Sequence, residues 1–574
     1  MHIGNYRRKT QAVFLFFVLF LFLCVLRLLF IQFFRSDYLV SIAKKQHNLF
    51  VELEPRRGAI YDRDNKPLAV NIAVDSLYAC PLGMSAKDRE NAVKQISPIV
   101  NINRESLREK LSRKKYFVWI ARKIDPEQAQ KIKNLKLKGI GFIRESKRCY
   151  PNSYLASHVL GFAGLDNNGL EGLELYYDRP LKGKPGWALF LRDARQKKLD
   201  LWGKMIPPKD GLDLVLTIDE VIQYIAEREL DNAFKAYHAK GASIIVLNPH
   251  TGEVLALANR PTFDLNQYQT AGKESRRDRA ITDVFEPGSV FKIVTASSAL
   301  EEKKVVEEDR IFCENGAYKI SSHILHDHTA HGWLTFREVV EQSSNIGTCK
   351  VAQMLGNDVL YKYIKLFGFG NKSGIDLPGE VSGVAYPPSK WSKVSIANIP
   401  MGQGVSVTAL QLASEISIIA NGGQLMKPFV VRQIRDEYGE TIKEFTPVVI
   451  NKVMSPDTAS RIKKILVGVI EEGTGKLAKV IDFSAAGKTG TAQKIEPNGA
   501  YSHDKFIASF IGFAPAEDPL IAVAICLDEP RPYYYGGVVA APVFKNVAND
   551  VLRYLRTKQL PAEAMALYES ERSN

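Results

Sequence analysis

Cysteine is sparse in this chain. Six occur in 574 residues, namely Cys24, Cys80, Cys149, Cys313, Cys349 and Cys526, and none stands in a C-x-x-C pair, which removes the commonest dithiol and thiolate-metal signatures. Disulfides among the last five are compatible with an extracytoplasmic chain, but their spacing assigns none. Internal repeats, low-complexity tracts and blocks of like charge are also lacking, so neither a solenoid nor a disordered tail is indicated. No nucleic-acid motif accompanies the net charge of +14. The 77 basic residues are spread along the chain, and a basic exterior beside anionic lipids or wall polymers accounts for them with no nucleic acid as partner.

What is present is the composition of a folded protein, 45% hydrophobic and 24% charged, and at about 150 residues per domain the length suggests roughly two to four units. One long hydrophobic run stands out. Ala12 to Leu26 is wholly apolar and the stretch continues past Arg27 to Phe34, enough for one membrane span. Arg7, Arg8 and Lys9 lie just ahead of it, which puts the amino end in the cytoplasm and the bulk of the chain outside. A cleaved signal peptide has a shorter apolar stretch followed by small residues, whereas bulky Leu28, Leu29, Phe30 and Phe33 follow here, so the segment reads as a retained anchor. Arg27 lies toward its outer end, where it can snorkel or meet a polar group on a partner helix.

The expected organisation is a cytoplasmic tail (1–11), an anchor (12–34), an extended non-catalytic α+β module (35–210), a catalytic domain (211–558) and a carboxyl-terminal tail (559–574). A charged helical stretch is expected near Ser85 to Arg113. The segments Arg57-Gly58 to Asp62-Arg63 and Gly172-Leu173-Glu174, with Tyr177-Asp178 and Leu181-Lys182-Gly183, contain no nucleophile and base, and read as ion-paired turns of a scaffold. The turn-rich Pro207 to Gly211 closes the module. Thr217 with Glu220 resembles a capping box ahead of a helix to about Tyr237. Ala242–Leu247 and Val254–Ala258 read as a hairpin around Pro249 to Gly252, and Phe506–Phe513 and Leu520–Leu527 as two more strands. Residues 453–472 and 540–556 read as helices. An antiparallel sheet with helices on its faces, and a large helical insertion between about 262 and 480, fits this order.

Three short segments carry the chemistry: Ser289-Val290-Phe291-Lys292, Ser343-Ser344-Asn345 and Lys488-Thr489-Gly490. A serine hydroxyl is a poor nucleophile near neutral pH and needs a base within hydrogen-bond reach. Pro287-Gly288 places Ser289 at a helix amino end, where free N–H groups favour an oxyanion, and puts Lys292 one turn on, on the same face. A partly buried lysine beside other cations loses its proton near neutral pH and can act as base on Ser289. Ser343 and Asn345, on successive turns of a short helical or loop segment, offer a proton relay to a leaving amine and an amide to grip substrate backbone. Lys488 begins a strand, Ser484 to Lys494. There Gly490 lets a substrate backbone approach, Lys488, Thr489 and Thr491 hold a carboxylate, and the Thr491 N–H is the second oxyanion donor. The first two motifs alone are common and Lys488-Thr489-Gly490-Thr491 is rarer; the three in this order are specific.

With these motifs the chain resembles the class B penicillin-binding proteins, whose signatures are S-x-x-K, S-x-N and K-T-G. The resemblance runs from the span to about residue 556 and includes Arg57-Gly58 to Asp62-Arg63 and Gly172-Leu173-Glu174, which match motifs of the family's non-catalytic pedestal. It implies an α+β fold in which one transmembrane helix is followed by an extended pedestal domain. A transpeptidase domain then follows, a five-stranded antiparallel sheet flanked by helices plus an all-helical subdomain. It also implies acylation of Ser289 by the penultimate D-alanine of a peptidoglycan stem peptide, release of the terminal D-alanine, attack by a neighbouring stem's amine, and acylation by β-lactams. No nucleotide or other cofactor is needed, because the acyl enzyme conserves the energy. The stretches Met401 to Ala413 and Tyr535 to Phe544 are more like the division or sporulation type than the elongation type. No glycosyltransferase domain or appended small domain is expected, so glycan polymerisation falls to a multispanning polymerase of the FtsW kind, among other divisome partners.

Other features have plainer readings. His323, His326, His328 and His331 with Asp327 fit no zinc signature and read as a structural or solvated loop. Cys349 reads as a packed thiol. Two other functions use the same motifs: a hydrolase such as a carboxypeptidase or β-lactamase, and a scaffold that chiefly recruits a polymerase. The first lacks an evident carboxylate to activate water; against the second stands the intact set of Ser289, Lys292, Ser343, Asn345 and Lys488.

Overall fold

The computed structural model describes residues 3–40, 48–191, 205–320, 323–496 and 498–559; the expected tail lies outside them from residue 560 on. The chain divides into two units, Met1–Arg56 with Gly183–Gly211, and Arg57–Lys182 with the chain from Leu212 onward. In the first, a helix covers Ile3–Phe34, so it takes in the basic residues ahead of the expected span as well as the span itself. Within its stretch Arg7–Phe34 an 18-residue window has a mean hydropathy of 3.0, and rings such as Phe14, 70% exposed, are uncovered by protein. A helix apolar on all sides suits lipid. The Arg27 guanidinium lies 5.5 Å from the centre of the Phe30 ring. Strands Asn48–Leu53, Gly186–Leu191 and Met205–Ile206 form a small antiparallel sheet in the same unit.

In the second unit the hairpin and the carboxyl-terminal strands meet. Strands β1 (Gly241–Leu247), β2 (Val254–Arg260), β3 (Ala486–Ile495), β4 (Tyr501–Ala514) and β5 (Ile521–Asp528) form one antiparallel sheet in the order β2-β1-β5-β4-β3. Both faces are buried. Ile245 and Leu247 join a core with Phe291, Ile346 and Leu410, whereas Ile244 and Val246 join Leu230, Phe510 and Phe544 on the other side. That double burial is why β1 reads as an unbroken apolar run. Helices Glu220–Ala236 and Ala541–Gln559 cover the second face. Thr217 does not cap the first of these. The chain is still extended there, with the Thr217 hydroxyl donating to Val254 O at 2.7 Å, and Asp219 is the cap, accepting from the N–H groups of Val221 and Ile222.

A second, seven-stranded sheet combines Pro67–Ala79, Val118–Ile124 and Ile140–Cys149 with Ile60–Tyr61, Asp213–Leu216, Val431–Arg435 and Thr441–Glu444. The strand just past residue 211 is thus hydrogen-bonded to the pedestal strand Ile60–Tyr61 on one side and to Val431–Arg435 on the other. The expected charged helical stretch is two helices, Ala86–Val100 and Arg104–Ser112, because Asn101 takes a left-handed φ of 51° that ends the first. The scaffold reading of the pedestal motifs holds. Buried Glu174 accepts from Arg57 Nε and Arg148 Nε, each at 2.6 Å, and from the Tyr150 hydroxyl at 3.2 Å, while Arg57 also reaches Asp178 at 2.7 Å.

Candidate active site

Ser289 lies in a 3-10 turn, Gly288–Phe291, and Lys292 is the first residue of the α-helix Lys292–Glu301. The helix therefore starts one turn later than expected. Gly288 has a φ of 60°, and a Cβ there would stand 2.8 Å from Thr491 O, so glycine lets the serine-bearing turn press against the β3 edge. Gly490 serves the same contact from the strand side: a Cβ on it would come within 2.3 Å of Ser509 Oγ and 2.9 Å of Val290 Cγ1. The space a side chain would need there is taken by Ser509 and by the Ser289 turn.

Ser343 is not on a helix. It occupies a bend between helices Phe336–Glu341 and Asn345–Leu355 with a left-handed φ of 58°, a costly conformation for a residue with a Cβ. A residue outside the three motifs supports the bend. Asp327 Oδ1 accepts from the N–H groups of Asn345 at 2.5 Å and Ile346 at 3.0 Å, and its Oδ2 accepts from the Ser344 hydroxyl at 2.6 Å. It thereby caps the helix from 18 residues upstream, a distance no local pattern reveals. Among the described residues no group of three or more metal-ligating side chains occurs. The His326 backbone carbonyl accepts from Asn345 Nδ2, His328 Nε2 lies 3.0 Å from Tyr535 Oη, and the His323 side chain lies outside the described residues. Cys349 is buried, as expected, and burial pushes its thiol up to about 12.

The two motif lysines converge on Ser343. Lys292 Nζ donates to Ser343 O at 2.5 Å, Ser343 Oγ at 3.1 Å and Asn345 Oδ1 at 2.8 Å. Lys488 Nζ donates to the same Ser343 Oγ at 3.0 Å and to Thr489 O at 3.2 Å. The amine of Lys292 is therefore directed at the second motif rather than at Ser289, because the bend supplies three acceptors, one for each proton of an ammonium. With both lone pairs of Ser343 Oγ engaged, its own proton is free to be donated. Burial pushes Lys292 down to about 7 against the pull of the Asp327 carboxylate, and burial together with the Lys292 charge holds Lys488 well below its ordinary range.

Ser289, Ser343, Asn345, Thr489, Gly490 and Thr491 line one cleft of about 710 Å³, with His328 and His331 on its rim. Lys488 is fully buried and does not line it, so it meets cleft contents through Ser343. The Thr491 hydroxyl accepts from Gly536 N at 3.0 Å, and that of Thr489 lies 2.9 Å from the Thr474 hydroxyl. A hydroxyl beside two low-affinity amines, at the open edge of a sheet, is an arrangement for moving protons during acyl transfer.

The comparisons agree. Residues 242–549 match the family described as the penicillin-binding protein transpeptidase domain, and residues 52–216 the penicillin-binding protein dimerisation domain. The chain belongs to the penicillin-binding protein transpeptidase family. It is similar to stage V sporulation protein D of Bacillus subtilis, 39% identical over 96% of this chain and 86% of that one. It is also similar to the peptidoglycan D,D-transpeptidase FtsI of Escherichia coli, 33% identical over 92% and 88%. Among solved structures it resembles penicillin-binding protein 3 of Mycobacterium tuberculosis complexed with aztreonam, with a TM-score of 0.70 at 29% identity over 88% of this chain and 97% of that one. The two matched regions bear out the pedestal and transpeptidase fold.

Proposed function

We propose that the protein is a membrane-anchored peptidoglycan D,D-transpeptidase, of the septal or sporulation kind, in which Ser289 is the acylated nucleophile. The observation that carries this is the meeting of Ser289, Ser343, Asn345 and the Thr489–Thr491 edge at one cleft, with buried Lys292 and Lys488 both bonded to Ser343 Oγ behind it. Lys292, once neutral, has a lone pair in place of one N–H and releases one of its three acceptors; turned to Ser289, it takes the hydroxyl proton as Oγ attacks the carbonyl of the penultimate D-alanine. The N–H groups of Ser289 and Thr491 stabilise the oxyanion. Ser343, bonded to both lysines, passes a proton to the departing D-alanine amine, and Asn345 orients the stem peptide. An amine of a second stem then attacks the acyl enzyme, restores Ser289 and closes the cross-link. β-Lactams acylate the same oxygen. Thr489 and Thr491 meet the substrate's terminal carboxylate, with buried Lys488 behind them bonded to the Ser343 hydroxyl.

The span, with Arg7, Arg8 and Lys9 at its start, supports a single-pass protein of the cytoplasmic membrane whose amino end is cytoplasmic and whose catalytic domain is outside. An FtsW-like glycan polymerase and other divisome proteins are the partners this arrangement suits. Mass spectrometry after exposure to a β-lactam should find the adduct on the peptide containing Ser289, and none in Ser289→Ala. An adduct elsewhere, or labelling that survives the change, overturns the assignment. Dimeric stem peptides rather than free D-alanine alone as product separate transpeptidation from hydrolysis.

A further inference from the structure

Basic residues occur throughout the chain, but their excess does not. Residues 84–149 hold eighteen lysines and arginines against seven aspartates and glutamates, a net +11 of the chain's +14, which corrects the even spread expected above. They build most of one lobe, in which helices Ala86–Val100, Arg104–Ser112 and Pro126–Asn134 pack on strands Pro67–Ala79, Val118–Ile124 and Ile140–Cys149 around Leu77, Ile96, Leu107, Ile120 and Ile132.

The three strands reach one end of the lobe together. Ala79 pairs with both Val118 and Ile140, so the connections 80–85, 113–117 and 135–139 make a single tip. Backbone hydrogen bonds tie them, from Cys80 N to Gly139 O at 2.7 Å and from Leu82 N to Lys115 O at 3.2 Å. The tip is apolar at its point: Leu82 is 49% exposed, Tyr116 65% and Phe117 41%, and Phe117 stacks on Tyr78 with ring centres 4.9 Å apart. Exposed Lys87, Lys114, Lys115, Lys136 and Lys138 surround it. Among the described residues the lobe's lysine and arginine ion pairs engage others, such as Arg108 with Glu90, Lys133 with Asp75 and Lys147 with Asp125.

We infer that this tip docks on an anionic phospholipid surface, with Leu82, Tyr116 and Phe117 entering the headgroup region and the five lysines meeting lipid phosphates. Rings and a leucine fenced by long cationic side chains match a bilayer interface, where the apolar stem and the charged head of each lysine are both satisfied. A soluble polyanion would answer the charge and leave the apolar point in water. The inference rests on the reading that the span Arg7–Phe34 holds the chain at a membrane.

The test uses the full chain in lipid nanodiscs, one set of phosphatidylcholine alone and one containing phosphatidylglycerol, with amide hydrogen exchange followed at 113–117 and 135–139. Incorporation into discs reports on the anchor separately from the tip. Exchange at both segments is expected to slow several-fold in the phosphatidylglycerol discs only. The effect should be lost in high salt and in a variant carrying Lys87→Glu, Lys114→Glu, Lys115→Glu and Lys136→Glu that still labels with penicillin. Equal exchange in the two lipids overturns the inference. So does protection that appears with soluble poly(glycerol phosphate) in phosphatidylcholine discs but not with phosphatidylglycerol, which would make a wall polymer the occupant.

Discussion

Lys292 can act as a base only after losing a proton, and burial brings that loss to about 7. Below this pH the neutral fraction falls tenfold per unit; above it the amine is already free. Acylation by a fluorescent penicillin should therefore quicken with rising pH up to about 7 and then level off. Asp327 works against burial by favouring the charged amine. Asp327→Asn should move the inflection to lower pH and, by weakening the cap, lower stability by about 1 kcal/mol. If Asp327 were a cap and nothing more, the melting temperature would fall and the inflection would stay. The motif residues that meet around the cleft were readable because each motif is contiguous. The role of Asp327 was not, because a cap supplied from 18 residues away, amid four histidines, leaves no periodic or spacing signal.

At the scale of elements, legibility followed burial. Strands β1 and β5 are buried on both faces and stand out as apolar runs. The 3-10 turn at Ser289 was missed because its shape comes from pressing against Gly490 and Thr491, two hundred residues away, rather than from local propensity. Gly490→Ala should for that reason slow acylation markedly, since the added methyl meets Ser509 Oγ and Val290 and displaces the Ser289 turn; penicillin labelling kinetics at unchanged penicillin excess would show it. The pedestal motifs were correctly read as ion-paired, but Gly172–Tyr176 and Asp178–Lys182 are short helices and Ile60–Tyr61 a strand rather than turns. Their centre is Glu174, and Glu174→Ala would leave the buried guanidinium of Arg148 without its carboxylate and that of Arg57 with Asp178 alone. Loss of one partner in such a network costs about 3–5 kcal/mol, measurable as a lower urea midpoint, with the cleft chemistry intact in the molecules that remain folded.

For the whole molecule, the anchor was evident from one apolar run. Its test is extraction: the full chain should stay with membranes in alkaline carbonate and be released once residues up to Phe34 are removed. A boundary near residue 210 was suggested by turn residues, yet the strand Asp213–Leu216 lies between Ile60–Tyr61 and Val431–Arg435 in one sheet. Turn chemistry marks where a chain bends and carries no information about which strand it pairs with next. The shared sheet makes the pedestal and catalytic regions inseparable as folding partners. Cutting the gene at codon 211 would strip a neighbour from an interior strand and bare its hydrogen-bonding edge, so a genetic dissection of scaffold from catalyst has to be made with point changes, and a truncated catalytic piece would be recovered as aggregate.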